Sequence, residues 1–293
     1  MAHWARSGAQ VPSVTVEPMS NDPLSIVNAS GFAFQLSLTE LVRASAHKHQ
    51  WDVTTTEHGW QDGATPRFID FVLSRSWVRL VVECKRPQSA NWVFLVPDPK
   101  RRRRAEPSAS FRALYLRNHD TKDGTVGVCG LTNMHQWPVS WESAHCALLG
   151  HAKGERPMLD RLAAELVRSA EAVAAQSWGL DSLRQVRGYN APVPVVSGYL
   201  PVIVTTAQLR VCRFDPEVVP LDTGHLPADG AEFEVVPYVR YRKSFDAPTI
   251  AHGDQRHDIG ELEAAAQRSV VVVNALHFID WLTQFEIRIV PYR

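Results

Sequence analysis

The segment 67–87, RFIDFVLSRSWVRLVVECKRP, constrains this chain more than any other stretch. It reads as two β-strands joined by a tight turn at Arg75-Ser76, rich in Val, Ile, Leu, Phe and Trp, which favour a pleated, half-buried backbone. Three charged residues, Asp70, Glu83 and Lys85, nevertheless stand on strands that are otherwise largely apolar. Pairing Ser74 with Trp77 sets Phe71 against Leu80 and Asp70 against Val81. Side chains alternate between faces along a strand. One face then carries Ile69, Phe71, Leu73, Val78, Leu80, Val82 and Cys84. The other carries Phe68, Asp70, Val72, Trp77, Arg79, Val81, Glu83 and Lys85. The first face is wholly apolar, so the register has a reason to hold.

On this register Asp70 and Glu83 are diagonal cross-strand neighbours, and Lys85 points the same way two residues on. Two carboxylates at that separation repel unless a proton or a cation lies between them. Mg²⁺ suits such a pair, because it takes oxygen ligands and is commonly held by one or two carboxylates together with substrate phosphate. A water beside a lysine and a divalent ion can act as a nucleophile. The plainer alternatives are a solvated sheet face and a salt bridge of Lys85 with the two acids. A solvated face would not need Phe68, Val72 and Val81 around its charges.

Asp70, twelve intervening residues, then Glu83-Cys84-Lys85 resembles the motif of the PD-(D/E)XK nucleases, the restriction-endonuclease-like fold. The "PD" half departs from the pattern, reading Ile69-Asp70 with Pro66 four residues before the Asp. The resemblance implies an α/β core with a central mixed sheet flanked by helices, and Mg²⁺- or Mn²⁺-dependent cleavage of phosphodiester bonds. Asp70 and Glu83 would be metal ligands, the Cys84 carbonyl a third, and Lys85 the residue that positions water. The first core helix of the family often offers an acid or amide to the site; Glu40 is the first candidate and Gln35 the second. DNA is the expected substrate, in restriction or defence against invaders. A homodimer is allowed, since restriction-type enzymes often pair to cut two strands. An inactive module that keeps the fold and only binds nucleic acid is the alternative.

The remaining sequence supplies the frame. Residues 1–28 hold scattered Pro, Ser and Gly and read as a flexible arm. The helical spacing of 32–48 predicts a first core helix, and 51–57 a first strand, so the order helix, strand, strand, strand opens the chain. Residues 92–96 are apolar enough for a strand, and Lys100-Arg101-Arg102-Arg103-Arg104 follows as a solvated run suited to phosphate backbone. Residues 156–177 form the clearest helix; its Arg161 and Arg168, seven apart, share a face and are candidates for touching nucleic acid. Strands are expected at 199–206, 208–214, 233–241 and 269–273, then a helix at 275–285 and a last strand. The expectation is one nuclease-like domain over 29–293, with a core at 29–97 and 157–214, an insertion at 98–156 and a C-terminal extension at 215–293. The chain has 293 residues, 45% hydrophobic and 21% charged, an ordinary globular composition. A formal net charge of zero means that any nucleic-acid affinity must come from local patches. The four cysteines are widely spaced, with no C-x₂-C or H-x₃-H pair to organise zinc, and no apolar run approaches a membrane span. Reduced thiols, a cytoplasmic setting and no membrane partner are expected.

Overall fold

The computed structural model describes residues 22–87, 91–100, 104–121, 124–148, 157–186, 196–245 and 266–289. Arg101, Arg102 and Arg103 and most of the expected arm therefore lie outside the described residues. The rest of that arm is helical rather than flexible. Asp22 caps α1 (Pro23–Ser30) by accepting a hydrogen bond from the Ser25 amide at 3.1 Å, and Pro23 sits at the helix start, where its missing N–H is not needed. Gly31, at φ 78°, ends α1 and opens α2 (Phe32–His49), a turn that a residue without Cβ makes readily.

The strands β1 (Asp52–Asp62), β2 (Thr65–Arg75) and β3 (Val78–Lys85) follow, then β4 (Asn91–Pro97). A long hairpin of β5 (Ser108–Thr121) and β6 (Gly124–Ser140) precedes two short strands, β7 (Glu142–Ser143) and β8 (His145–Ala147). Helix α3 (Met158–Val186) leads into β9 (Val196–Thr205) and β10 (Gln208–Phe214). The chain continues through β11 (Ala231–Val236), β12 (Tyr238–Ser244), β13 (Gln267–Asn274), α4 (Phe278–Gln284) and β14 (Glu286–Ile289).

This is a mixed α/β architecture with a central mixed sheet flanked by helices. Ten described strands form one sheet, ordered β1-β2-β3-β9-β13-β12-β7, with β5 joining at β9 and carrying β6 and β14. Four form a second sheet, ordered β11-β10-β4-β8. Within the large sheet β3, β9 and β13 run parallel. On one face, α3 lays Leu159, Ala163, Leu166 and Ala170 against Val81, Ile203 and Val272, and Trp92, Phe94 and Leu209 of the second sheet close the same core. On the other face α2 and α4 place Leu38, Val42, Phe278 and Trp281 against Phe71, Leu80, Val82, Val202 and Val271. Strands covered on both sides carry near-continuous apolar runs, which is why VRLVV and SVVVV lack alternation.

Three segments differ from the sequence expectation. Residues 233–241 are two strands in different sheets, split at Pro237, which has no N–H to give to a ladder. Segment 215–293, expected as an extension, supplies β13 to the middle of the main sheet. Segment 98–156, expected as an insertion, supplies the β5–β6 hairpin that pairs with β9.

The two-sided core fixes where substitutions hurt. Ile203, fully buried in β9, is expected to cost about 2–5 kcal/mol on replacement by Ala, the range for emptying a close-packed site. Leu36→Ala, on the exposed side of α2, is expected to change stability by less than about 0.5 kcal/mol. Urea unfolding of the two variants beside wild type measures the difference.

Candidate active site

The observed ladder between β2 and β3 lies two residues from the expected one. Arg75 faces Val78, Ser74 faces Arg79, Val72 faces Val81 and Phe71 faces Val82, so Ser76 and Trp77 make the turn, with Ser76 at φ 53°. Trp77 leaves the strand for the turn, where its carbonyl accepts from the Gly198 amide at 2.8 Å and its ring lies against Gly198. A two-residue shift keeps every side chain on its face. It also carries Asp70 from a diagonal position to one directly across from Glu83, one step beyond the last paired residues.

One member of the expected apolar face changes sides. Ile69 packs in the core under α3, whereas Phe71 and Leu73 pack under α2. The alternation of β2 therefore slips at Asp70. Strand β1 shows how: its pairs run from Thr56–Phe71 to His58–Ile69, and Glu57 between them sits at φ 49°. That left-handed conformation is uncommon for a residue with a side chain.

Asp70 is held from two directions. The Cys84 amide donates to Asp70 Oδ2 at 2.5 Å. From α2, the buried Gln35 side chain donates to Glu57 and, at 3.4 Å, to the Asp70 carbonyl. Glu40, the first candidate on that helix, is exposed and pairs with Arg43 on the solvent side. The second candidate, Gln35, is the side chain that α2 brings to the cluster. Glu57 carried no signal in the sequence, being one polar residue at the end of a Thr-rich strand.

Burial pushes Glu83 up from its ordinary 4.5 to about 8, with the Asp70 carboxylate adding to the shift and Lys85 opposing it; Glu165 on α3 and Glu57 raise it further. Burial also raises Asp70; the Cys84 amide lowers it and the charge of Glu57 raises it. Lys85 acts on both acids through its field and makes no ion pair within 4.0 Å with either. Burial drives the Cys84 thiol far up, and its side chain packs with the core under α2, so it stays protonated and is no nucleophile.

The cluster sits where the parallel strands end. In the ladders Lys85 pairs with Thr205, and Thr205 with Asn274, so the carboxyl ends of β3, β9 and β13 are level. Open α/β sheets bind ligands outside that edge. Asp70 and Glu83 are half-buried, hard oxygen donors, each raised by neighbouring negative charge, and such a pair fits Mg²⁺ or Mn²⁺. Among the described residues no three His, Cys, Asp or Glu side chains close a ready-made cage. The fit is therefore to an ion held by two carboxylates and completed by water or phosphate.

The cationic candidates are spread out. Arg161 is exposed on α3. Lys100 and Arg104 lie beyond the far end of β4, whose seven residues span roughly 20 Å away from the site. There they line a cavity of about 300 Å³ with Asp98, Asp215, Asp229 and Glu232, so the two described ends of the basic run meet carboxylates. No known family matches the chain, and neither the curated proteins nor the solved structures provide a match.

The raised acid makes a stability prediction with a definite sign. Glu83 binds its proton more tightly in the folded than in the unfolded state. Its contribution is therefore fully present below about pH 4.5 and is lost as pH rises through about 8. In metal-free buffer, Glu83→Gln is expected to match wild type near pH 5. Near pH 9 it should exceed wild type by roughly 1 kcal/mol or more, a few degrees in Tm. Thermal melts across that range check it.

Proposed function

We propose that this chain is a metal-dependent nuclease of the PD-(D/E)XK, restriction-endonuclease-like type, which hydrolyses phosphodiester bonds of nucleic acid, DNA in the first instance. The observation that carries this reading is the meeting of Asp70 and Glu83 across β2 and β3, at the carboxyl end of a parallel strand, beside Lys85, which makes no ion pair among the described residues. The opening order α2, β1, β2, β3 supports it, with α3 and β9 following after β4 to β8.

Asp70 and Glu83, with the Cys84 carbonyl, are the groups that would hold Mg²⁺ or Mn²⁺. Such an ion, when bound, draws charge from the phosphate and lowers the barrier to attack. The chain's own residues do the rest. The Cys84 amide and Gln35 fix Asp70, so that a ligand is placed before substrate arrives. Lys85, with no ion pair among the described residues, has donors for a water and for the charge that develops as that water attacks. Glu83 is half-buried and burial pushes it up to about 8, so a cation bound there would displace a proton.

Cleavage of plasmid DNA, single-stranded DNA and RNA with Mg²⁺, Mn²⁺ or EDTA tests the reading. Wild type is expected to cut in either metal and not in EDTA. Asp70→Ala and Lys85→Ala should each lower the rate by about 10²-fold or more. Metal-dependent cutting that survives both substitutions would place the activity elsewhere. Binding without cutting in any metal would identify a module that keeps the fold and has lost the chemistry.

A further inference from the structure

We propose that Arg67 is a substrate-phosphate ligand of this site, parked on Glu165 in the free protein and handed to the nucleic-acid backbone on binding. The proposal rests on the nuclease reading for the identity of the polyanion. Asp70, Glu83, Glu57 and Glu165 make the surroundings of the cluster acidic, and a polyanion cannot approach them without cations beside them. Of the basic run, the described Lys100 and Arg104 lie beyond the other end of β4, so among the described residues the cations nearest the cluster are others.

The structure offers them along one flank. Arg67 lies on β2, three residues and roughly 10 Å before Asp70. Its Nη1 donates to Glu165 Oε1 at 2.6 Å, while Nε is buried and has no hydrogen-bond partner among the described residues. Arg67 and Glu165 are about a third or more exposed, so the pair lies within reach of a ligand. On α3, Arg161, Glu165 and Arg168 share a face at successive turns. Arg168 is parked in the same manner, its Nε 3.6 Å from Asp62 Oδ2 across from β1. Partly exposed ion pairs of this kind are weak, and a guanidinium fork bonds a phosphate in two places. Arg67 thus has more to gain on backbone phosphate than it loses on leaving Glu165.

The two partners of one ion pair then have opposite effects, which a merely structural pair cannot produce. Binding of a fluorescein-labelled DNA duplex is measured by anisotropy against salt, with Mg²⁺ present and all proteins carrying Lys85→Ala so that the probe stays intact. Arg67→Gln is expected to weaken binding about fivefold to tenfold and to flatten the log–log salt slope by about one. Glu165→Gln, which frees Arg67, is expected to tighten binding a few-fold. If both substitutions weaken binding alike, or neither changes it, while the parent protein binds, this proposal fails and the nuclease reading stands. If the parent protein binds no duplex and wild type cuts none, both fall together.

Discussion

The parallel pairing of β3 with β9 is the constraint on which the rest depends. It makes β3 an interior strand, sealed by α3 and the second sheet on one side and by α2 and α4 on the other. A strand so enclosed must be apolar along its length, and it can carry charge only where it leaves the core. Glu83 and Lys85 stand at that exit. The same pairing levels the strand ends and gives α3 a bed on which Glu165 is held near Glu83. The position of the acids is thus a result of how the core closes.

Much of the frame was legible because its signals are local. The helix at 32–48, the strands around the charged trio and the long helix near 156 each follow from spacing; the helix at 32–48 and the two strands lie within a few residues of the observed elements, while the long helix begins at Met158 and runs to Val186 rather than to 177. The trio itself was legible because charge on an apolar strand demands a cause. The register was not, because a shift of two residues leaves the same faces apolar, and the contact of Trp77 with Gly198, far away in sequence, goes with the observed one. The crossing of Ile69 to the other core was hidden too, since it depends on the backbone of Glu57 in a neighbouring strand.

Side chains that reach the cluster from a distance followed the same rule. Glu40 looked suitable as an acid on the first helix, but the helix face that packs on the sheet is set by Leu38 and Val42, and on that face only Gln35 is polar at the right end. Position 40 looks to solvent and finds Arg43. Segment 215–293 was misplaced for a related reason: β13 is an unremarkable apolar run whose place between β9 and β12 is decided by partners far away in sequence.

The slip of alternation at Asp70 has an evolutionary side. Both hydrophobic cores close without any contribution from Asp70, Glu83 or Lys85, which sit at the rim, where the two acids repel each other and Lys85 offsets part of that repulsion. Selection for stability alone would remove them, and the fold would tolerate their loss. Descendants of such a chain can shed the acids and keep the scaffold. Persistence of all three together would be the mark of lineages in which something continues to select for them.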